Sequence, residues 1–231
     1  MCDRYTLTCS VEELQNFFGV KMDNFHPFYN AGPTQKLPII KAKSNPEVNE
    51  MFWGLIFNWS NNKKISPKLF NLPKQSALEK KAYQKGLVEN RCLIMADGFF
   101  LWKQIGKKQN TPYHFYLTNH SPFGIAALWE DYEDMDGKNT QSFIMLTTES
   151  SKEVAPYQED MPLLLDRESM KKWLQTDLEM TDINEILNQK PSGSLKFHAV
   201  SPMINNLENN SPELIKTAVP SDQHGNYTLF S

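Results

Sequence analysis

RCLIMADGFFLWK, residues 91–103, sets two apolar runs on either side of a single Asp-Gly pair. Residues 91–96 and 98–102 are rich in β-favouring aliphatic and aromatic side chains. Asp-Gly between two such runs is a strong short-range hairpin signal, so the stretch reads as strand, turn, strand. Downstream, YHFYL (113–117), FGIAALW (123–129), SFIMLTT (142–148) and LKFHAV (195–200) read as further strands. Upstream, residues 38–40 and MFWGLIF (51–57) do the same. Helices are fewer. Ser10 with Glu13 forms a capping box for a short helix that turns Leu14, Phe17 and Phe18 inward and ends at Gly19. A helix is expected over 78–87, a second capped by Asp166, and a third capped by Thr181. Residues 58–76 are polar and carry Pro67 and Pro73, the pattern of a long loop. Many strands with few, scattered helices predict one α+β domain over residues 1–231, built around a curved antiparallel sheet with peripheral helices.

A chain of 231 residues makes one large domain or two small ones, and 40% hydrophobic with 12% aromatic residues fills a core. No apolar run is long enough to span a membrane, and the start is too polar for a signal segment. Three cysteines, Cys2, Cys9 and Cys92, form no CxxC and no even framework, which fits a reducing, cytoplasmic compartment and argues against a structural zinc. Cys92 reads as apolar packing, and no cofactor or metal is expected. Net charge is -3, which lowers the expectation of nucleic-acid binding. Its distribution pulls the other way. Between residues 61 and 91 lie Lys63, Lys64, Lys68, Lys74, Lys80, Lys81, Lys85 and Arg91, against Glu79 and Glu89. Such a strip is either a solvated face or a surface that tracks phosphates, and charge alone does not separate the two.

The chain opens MCDRYTLTCS. A small residue after Met allows Met removal, which would give Cys2 a free α-amine beside its thiol. A 1,2-aminothiol condenses with an aldehyde: the amine forms an imine and the thiol closes it to a thiazolidine. The amine titrates near pH 8 and the thiol near 8.5, so both are partly nucleophilic at neutral pH.

MCDRY, YNAGPTQ (29–35), FWGLIFNW (52–59), RCLIMADGFFLWK, FIMLTTESSKEVAPYQEDMPLLL (143–165) and FHAVSPMINNLENNSPEL (197–214) occur in order along the whole chain. Together they resemble the SRAP family, the SOS-response-associated peptidase domain of abasic-site processing proteins. The resemblance implies a barrel-like sheet with a positively charged DNA cleft. It implies that Met1 is removed and that Cys2 captures the aldehyde of an abasic site in single-stranded DNA as a stable crosslink, with peptidase, hydrolase or lyase activity. The implied partner is abasic single-stranded DNA, with no membrane and no obligate protein partner. The implied location is cytoplasmic, at the nucleoid when DNA-bound, within a DNA damage response.

By the same resemblance, Cys2 is the nucleophile and Asn71 positions the N-terminus and the sugar. Arg4, Asn30 and Trp59 fall at the DNA cleft, where the Trp59 ring would stack on a base. Thr147, Thr148, Gln158 and His198 support the site, although His198 also reads as a satisfied core histidine. The chain departs from the family pattern at several places. Asp3 replaces a usual glycine, and Leu101 stands where the hairpin usually carries a glutamate that shuttles protons. Gln158 replaces a histidine, and Asp160 and Pro73 replace arginines. Gln158 can hydrogen-bond a sugar hydroxyl but cannot deliver a proton at neutral pH. Two rival readings follow: a DNA-binding module of the same fold with reduced chemistry, and an N-terminal-nucleophile amidohydrolase. If the lysine strip contacts phosphates, replacing Lys63, Lys64 and Lys68 by Ala weakens single-stranded DNA binding and flattens its salt dependence by about 0.7 per lost contact. Titration of affinity against salt checks this, and an unchanged slope takes the strip off the interface.

Overall fold

The structure is a computed structural model that describes residues 2–22, 25–43, 46–54, 69–105, 109–133, 137, 139–189 and 193–227. In chain order the first elements are β1 (Arg4–Leu7), α1 (Val11–Phe18), β2 (Phe28–Ala31), β3 (Lys36–Lys41), β4 (Val48–Trp53) and β5 (Asn71–Pro73). Next come α2 (Lys74–Glu79), α3 (Lys81–Glu89), β6 (Arg91–Ala96), β7 (Gly98–Gln104), β8 (Asn110–Leu117) and β9 (Phe123–Glu133). The last are β10 (Asn139–Glu149), β11 (Asp160–Pro162), β12 (Leu164–Leu165), α4 (Arg167–Trp173), α5 (Met180–Asn188) and β13 (Leu195–Ala199).

All six residues of β6 are buried, as its unbroken apolar run requires of a strand covered on both faces. It belongs to a closed ring. β3 pairs with β4 and β6, β6 with β9, β9 with β10, and β10 returns to β4. The α+β fold with a curved, barrel-like sheet is therefore as expected. One joint, β10 with β4, is parallel. Parity demands it, because five strands cannot alternate direction at every joint of a ring. β5 adds to β10 in parallel, while β11 and β12 pair antiparallel with β10 and β9.

The second sheet runs β13-β8-β7-β1-β2, antiparallel throughout. One register row crosses it as Tyr5, Phe99, Phe115 and Phe197, and the next as Arg4, Phe100, His114 and His198. The two sheets share a core. Tyr5 of β1 lies 5.4 Å from the Trp53 ring, which stacks on Phe143 of the barrel at 6.1 Å.

The expected hairpin at 91–103 is not formed. β6 pairs within the barrel and β7 within the second sheet, so Asp97 is the corner where the chain passes from one to the other. Each strand finds two partners this way, whereas a local hairpin would have joined them to each other. Asp97 is a hydrogen-bond hub. Its backbone N–H donates to Thr6 O at 2.9 Å. Its carboxylate accepts from Thr6 Oγ1 at 2.5 Å, from Thr8 N, from Thr8 Oγ1 at 2.8 Å and from Cys9 N at 2.9 Å. Thr6 Oγ1 also lies 3.3 Å from His114 Nε2. With the Thr6 proton given to Asp97, His114 Nε2 is the donor, which leaves its buried Nδ1 unpartnered among the described residues. Gly98 is required by space: a methyl group there would come 2.1 Å from His114 Nε2 and 2.7 Å from Thr6 Oγ1.

Among the helices, α1 is capped as expected, with Ser10 accepting from Glu13 N and Gly19 left-handed at φ 70°. Leu14 is fully buried, while Phe17 and Phe18 are half-buried. Asp166 caps α4. The expected helix over 78–87 is two helices, broken where Lys80 is extended. The stretch expected as loop holds β5 and the start of α2, because β10 offers Asn71–Pro73 an edge to pair with. Helix α5 is capped by a reciprocal Glu179–Asp182 box, not by Thr181.

Two outcomes follow. Gly98→Ala lowers stability by about 1–3 kcal/mol through overpacking against a ring that cannot retreat, as urea unfolding would show. His114 is held down to about 3 by burial and by the neighbouring His198 and His120. The unfolded chain therefore binds the extra proton first, and stability is lost as pH falls from about 6.5 toward 3. In His114→Gln, the slope of unfolding free energy against pH between about 5 and 6 should be shallower than in the wild type.

Candidate active site

The hub at Asp97 fixes β1, and β1 delivers residues 2–4 to the rim of the barrel. There Asn71, at the start of β5, sits opposite Met145 in the parallel pair with β10. Asn71 Nδ2 donates to the carbonyl of Cys2. Cys2 is fully buried, and its Sγ donates to Arg4 O at 3.3 Å. Burial pushes the thiol up to about 12, although the hydrogen bond to Arg4 works in the opposite direction. At neutral pH this sulfur is a thiol, and a change of surroundings is needed to activate it.

Several polar atoms on residues 3–5 and on Asn71, which holds the Cys2 carbonyl, lack partners among the described residues. Asp3 Oδ1, Arg4 Nε, Tyr5 Oη and Asn71 Oδ1 are all sealed from solvent and unpartnered among the described residues. Buried polar groups are ordinarily satisfied, so such a concentration marks a place that a polar ligand could complete. Arg4 Nη1 donates to Asp3 O at 2.7 Å and lies 3.4 Å from Asp3 Oδ2. Gly32 of the YNAGPTQ turn makes room first for Leu207, whose Cδ1 would lie 2.5 Å from a methyl group there, and then for Arg4, whose Cδ and Nη1 would lie at 3.2 Å. Burial raises the Asp3 carboxyl above its ordinary range, against the pull of Arg4.

The other expected residues divide. Thr147, buried, pairs with Pro73 on one side and Pro162 on the other, and Thr148 pairs with Met161, so both flank the strand that carries Asn71. Gln158 Nε2 donates to Trp102 O at 3.1 Å, beside position 101. Leu101 is fully buried in the core. His198 lies three strands from Arg4, about 14 Å at ordinary strand spacing, and its Nε2 is bonded to Ile215 O at 2.8 Å. It is therefore not brought to Cys2. Asn30, expected at the DNA cleft, spends its amide nitrogen within the fold. It is 2% exposed, and its Nδ2 donates to the carbonyls of Ile204, Asn206 and Asn209 at 3.2, 2.9 and 3.1 Å. It clamps the C-terminal segment onto β2. Trp59, Lys63, Lys64 and Lys68 lie outside the described residues.

Within the basic strip, two residues are spent on structure. Arg91 is 1% exposed and donates to the carbonyls of Trp173, Leu87, Val88 and Gln175. Lys74 Nζ donates to Leu187 O at 2.9 Å. Sequence reasoning missed the hub role of Asp97 and the half-buried carboxyl of Asp3, one oxygen of which is sealed. The signal for the first was an acid set between a fully apolar run and an obligate glycine. Among the described residues no group of three His, Cys, Asp or Glu side chains could hold a metal ion, and no helix is long and apolar enough to cross a membrane.

Comparison with known proteins agrees with the resemblance read from the motifs. A family model described as SOS response associated peptidase (SRAP) matches residues 1–207. The chain is 30% identical over 223 residues to the abasic site processing protein YoqW of Bacillus subtilis (strain 168), covering 94% of this chain and 100% of that one. It is 28% identical over 237 residues to the abasic site processing protein HMCES of Xenopus tropicalis, covering 88% of this chain and 70% of that one. A crystal structure of a protein from Bacteroides thetaiotaomicron shares the fold with a TM-score of 0.81 at 20% identity, over 94% of this chain and 100% of that one. With its motifs, its barrel and a family match over most of its length, the chain belongs to the SOS response associated peptidase (SRAP) family.

Proposed function

We propose that this chain processes abasic sites: it binds single-stranded DNA and forms a thiazolidine DNA–protein crosslink through Cys2 once Met1 is removed. The observation that carries the reading is the hold of Asn71 on the Cys2 carbonyl, with unpartnered polar atoms of Asp3, Arg4 and Asn71 around it. An aminothiol needs its residue fixed near an aldehyde, and positioning of this kind contributes much of an enzyme's rate. Asn71 Oδ1, unpartnered among the described residues, can accept from an α-amine or a sugar hydroxyl. Arg4 supplies a cation for a flanking phosphate. The relatives' names, abasic site processing protein, support the substrate class. In this reading the chain works as one domain in the cytoplasm, at the nucleoid when DNA-bound. The C-terminal residues beyond the family match pack on the second sheet: Leu214 joins Phe100, Val200 and Ile204 in a small apolar cluster, and Ala218 N donates to Ala199 O.

One set of observations favours the rival pseudoenzyme. Leu101 is sealed in the core, Gln158 spends an amide proton on a backbone carbonyl, and the Cys2 thiol is raised to about 12. A chain with these features could bind DNA and form no bond to it.

Incubation with abasic single-stranded DNA, read on a denaturing gel, separates the two. The wild type with Met1 removed is expected to give a heat-stable band. Cys2→Ser keeps the amine and gives only an imine, stable after borohydride reduction and labile without it. Cys9→Ala and Cys92→Ala keep the stable band. A chain that retains Met1 binds without crosslinking. A heat-stable band from Cys2→Ala overturns the mechanism, and no band from the wild type leaves the pseudoenzyme.

A further inference from the structure

The family's usual acid position is occupied by Leu101, which lies in the core at 0% exposure and offers no proton. The site nevertheless holds a carboxyl. Asp3 follows Cys2 directly in the chain, and the two are coupled electrostatically: a charge on Asp3 makes the Cys2 thiol harder to ionise. The Asp3 side chain is 38% exposed overall, yet its Oδ1 is sealed and unpartnered while Oδ2 faces Arg4 Nη1 at 3.4 Å. One oxygen thus faces a cation and the other has no hydrogen bond among the described residues, on the residue that adjoins the candidate nucleophile in the chain. Burial favours the protonated acid, and Arg4 opposes it. Of the two opposing influences burial is the larger, so the carboxyl holds its proton to higher pH than an exposed aspartate does.

Resting on the crosslinking reading above, we infer that Asp3 is the catalytic acid–base of this chain, standing in for the side chain absent at position 101. The Cys2 amine adds to the aldehyde carbon as the carbonyl electron pair moves to oxygen, and one amine proton passes to that oxygen to give a carbinolamine. Protonated Asp3 then gives its proton to the hydroxyl, which leaves as water while the nitrogen lone pair forms the C=N bond. The sulfur adds to the iminium carbon, the C=N pair returns to nitrogen, and the S–H proton goes to the Asp3 carboxylate. One water is lost, nothing is oxidised or reduced, and the acid is restored. Besides burial, the groups that set the titration of Asp3 are the Arg4 guanidinium, the chain's terminal amine and the Asp3 backbone amide.

The test is the rate of heat-stable crosslinking to an abasic single-stranded oligonucleotide, measured across pH with the full chain after Met1 removal. In the wild type the rate is flat between the titration of Asp3 and that of the terminal amine near pH 8, because the acid is lost as the free amine is gained. Asp3→Asn is expected to slow crosslinking about a hundredfold and to abolish the plateau, so that the rate climbs with pH toward the amine's pKa. Asp3→Glu restores part of the rate and the plateau. Thermal melting and non-covalent binding to intact single-stranded DNA confirm that each variant is folded. The inference is overturned, with the crosslinking reading intact, if the wild type crosslinks and Asp3→Asn matches it. It is also overturned if Asp3→Asn and Asp3→Glu fall together with an unchanged pH profile, the mark of a purely structural role. A wild type that forms no stable crosslink overturns both.

Discussion

The carboxylate of Asp97 is the constraint on which the rest of the molecule rests. It collects the Thr6 hydroxyl, the Thr8 amide and hydroxyl and the Cys9 amide, while its own amide holds the Thr6 carbonyl. Charge-assisted hydrogen bonds of this type are about twice as strong as neutral ones. Here they fasten the first strand to the corner at which the chain leaves the barrel. Everything N-terminal to Thr6 takes its position from that fastening, including the Cys2 carbonyl that Asn71 holds. The neighbouring Gly98 lets His114 close over the same hydroxyl. A loosening of the corner would be felt at Cys2, even though no residue of the corner belongs to the site.

Much of the fold could be read from pattern. The apolar run at 91–96 is a buried strand, and the Ser10–Glu13 box begins a helix as its chemistry dictates. Asp-Gly misled because a turn signal is local, whereas strand pairing is decided by partners far along the chain. β7 prefers β1 and β8 to the strand that precedes it. Similarly, Arg91 and Lys74 look like surface cations in a basic strip, but both end on backbone carbonyls that periodicity cannot reveal. Asn30 looks like a ligand-facing amide in a turn-rich stretch, and it is instead the clamp for three carbonyls about 175 residues away. The family was legible because six separated motifs had to agree at once. The meaning of its departures was not, since the partial burial that raises the Asp3 carboxyl is a property of three dimensions.

Those departures are consistent with one another. Leu101 completes an apolar layer with Phe99 and Phe115, where a carboxylate would carry a desolvation cost. Gln158 bonds to the backbone of Trp102, filling its position as a strut. Pro73 ends β5 and opens α2, where a missing amide proton costs nothing. At these three positions the rim has become more a scaffold and less a source of protons, and ionisable chemistry is concentrated at the chain terminus.

The place of β1 in the middle of its sheet also has a consequence in time. It lies between β2 and β7, so its second partner is not synthesised until residue 104. At about 5–20 residues per second, the first strand waits about 5–20 s on the ribosome with one edge unpaired. Throughout that interval Cys2 has neither Asn71 fixed on a finished barrel nor the corner at Asp97 to hold it. The topology thus builds an order of events into biosynthesis: the first strand is made early and enclosed late.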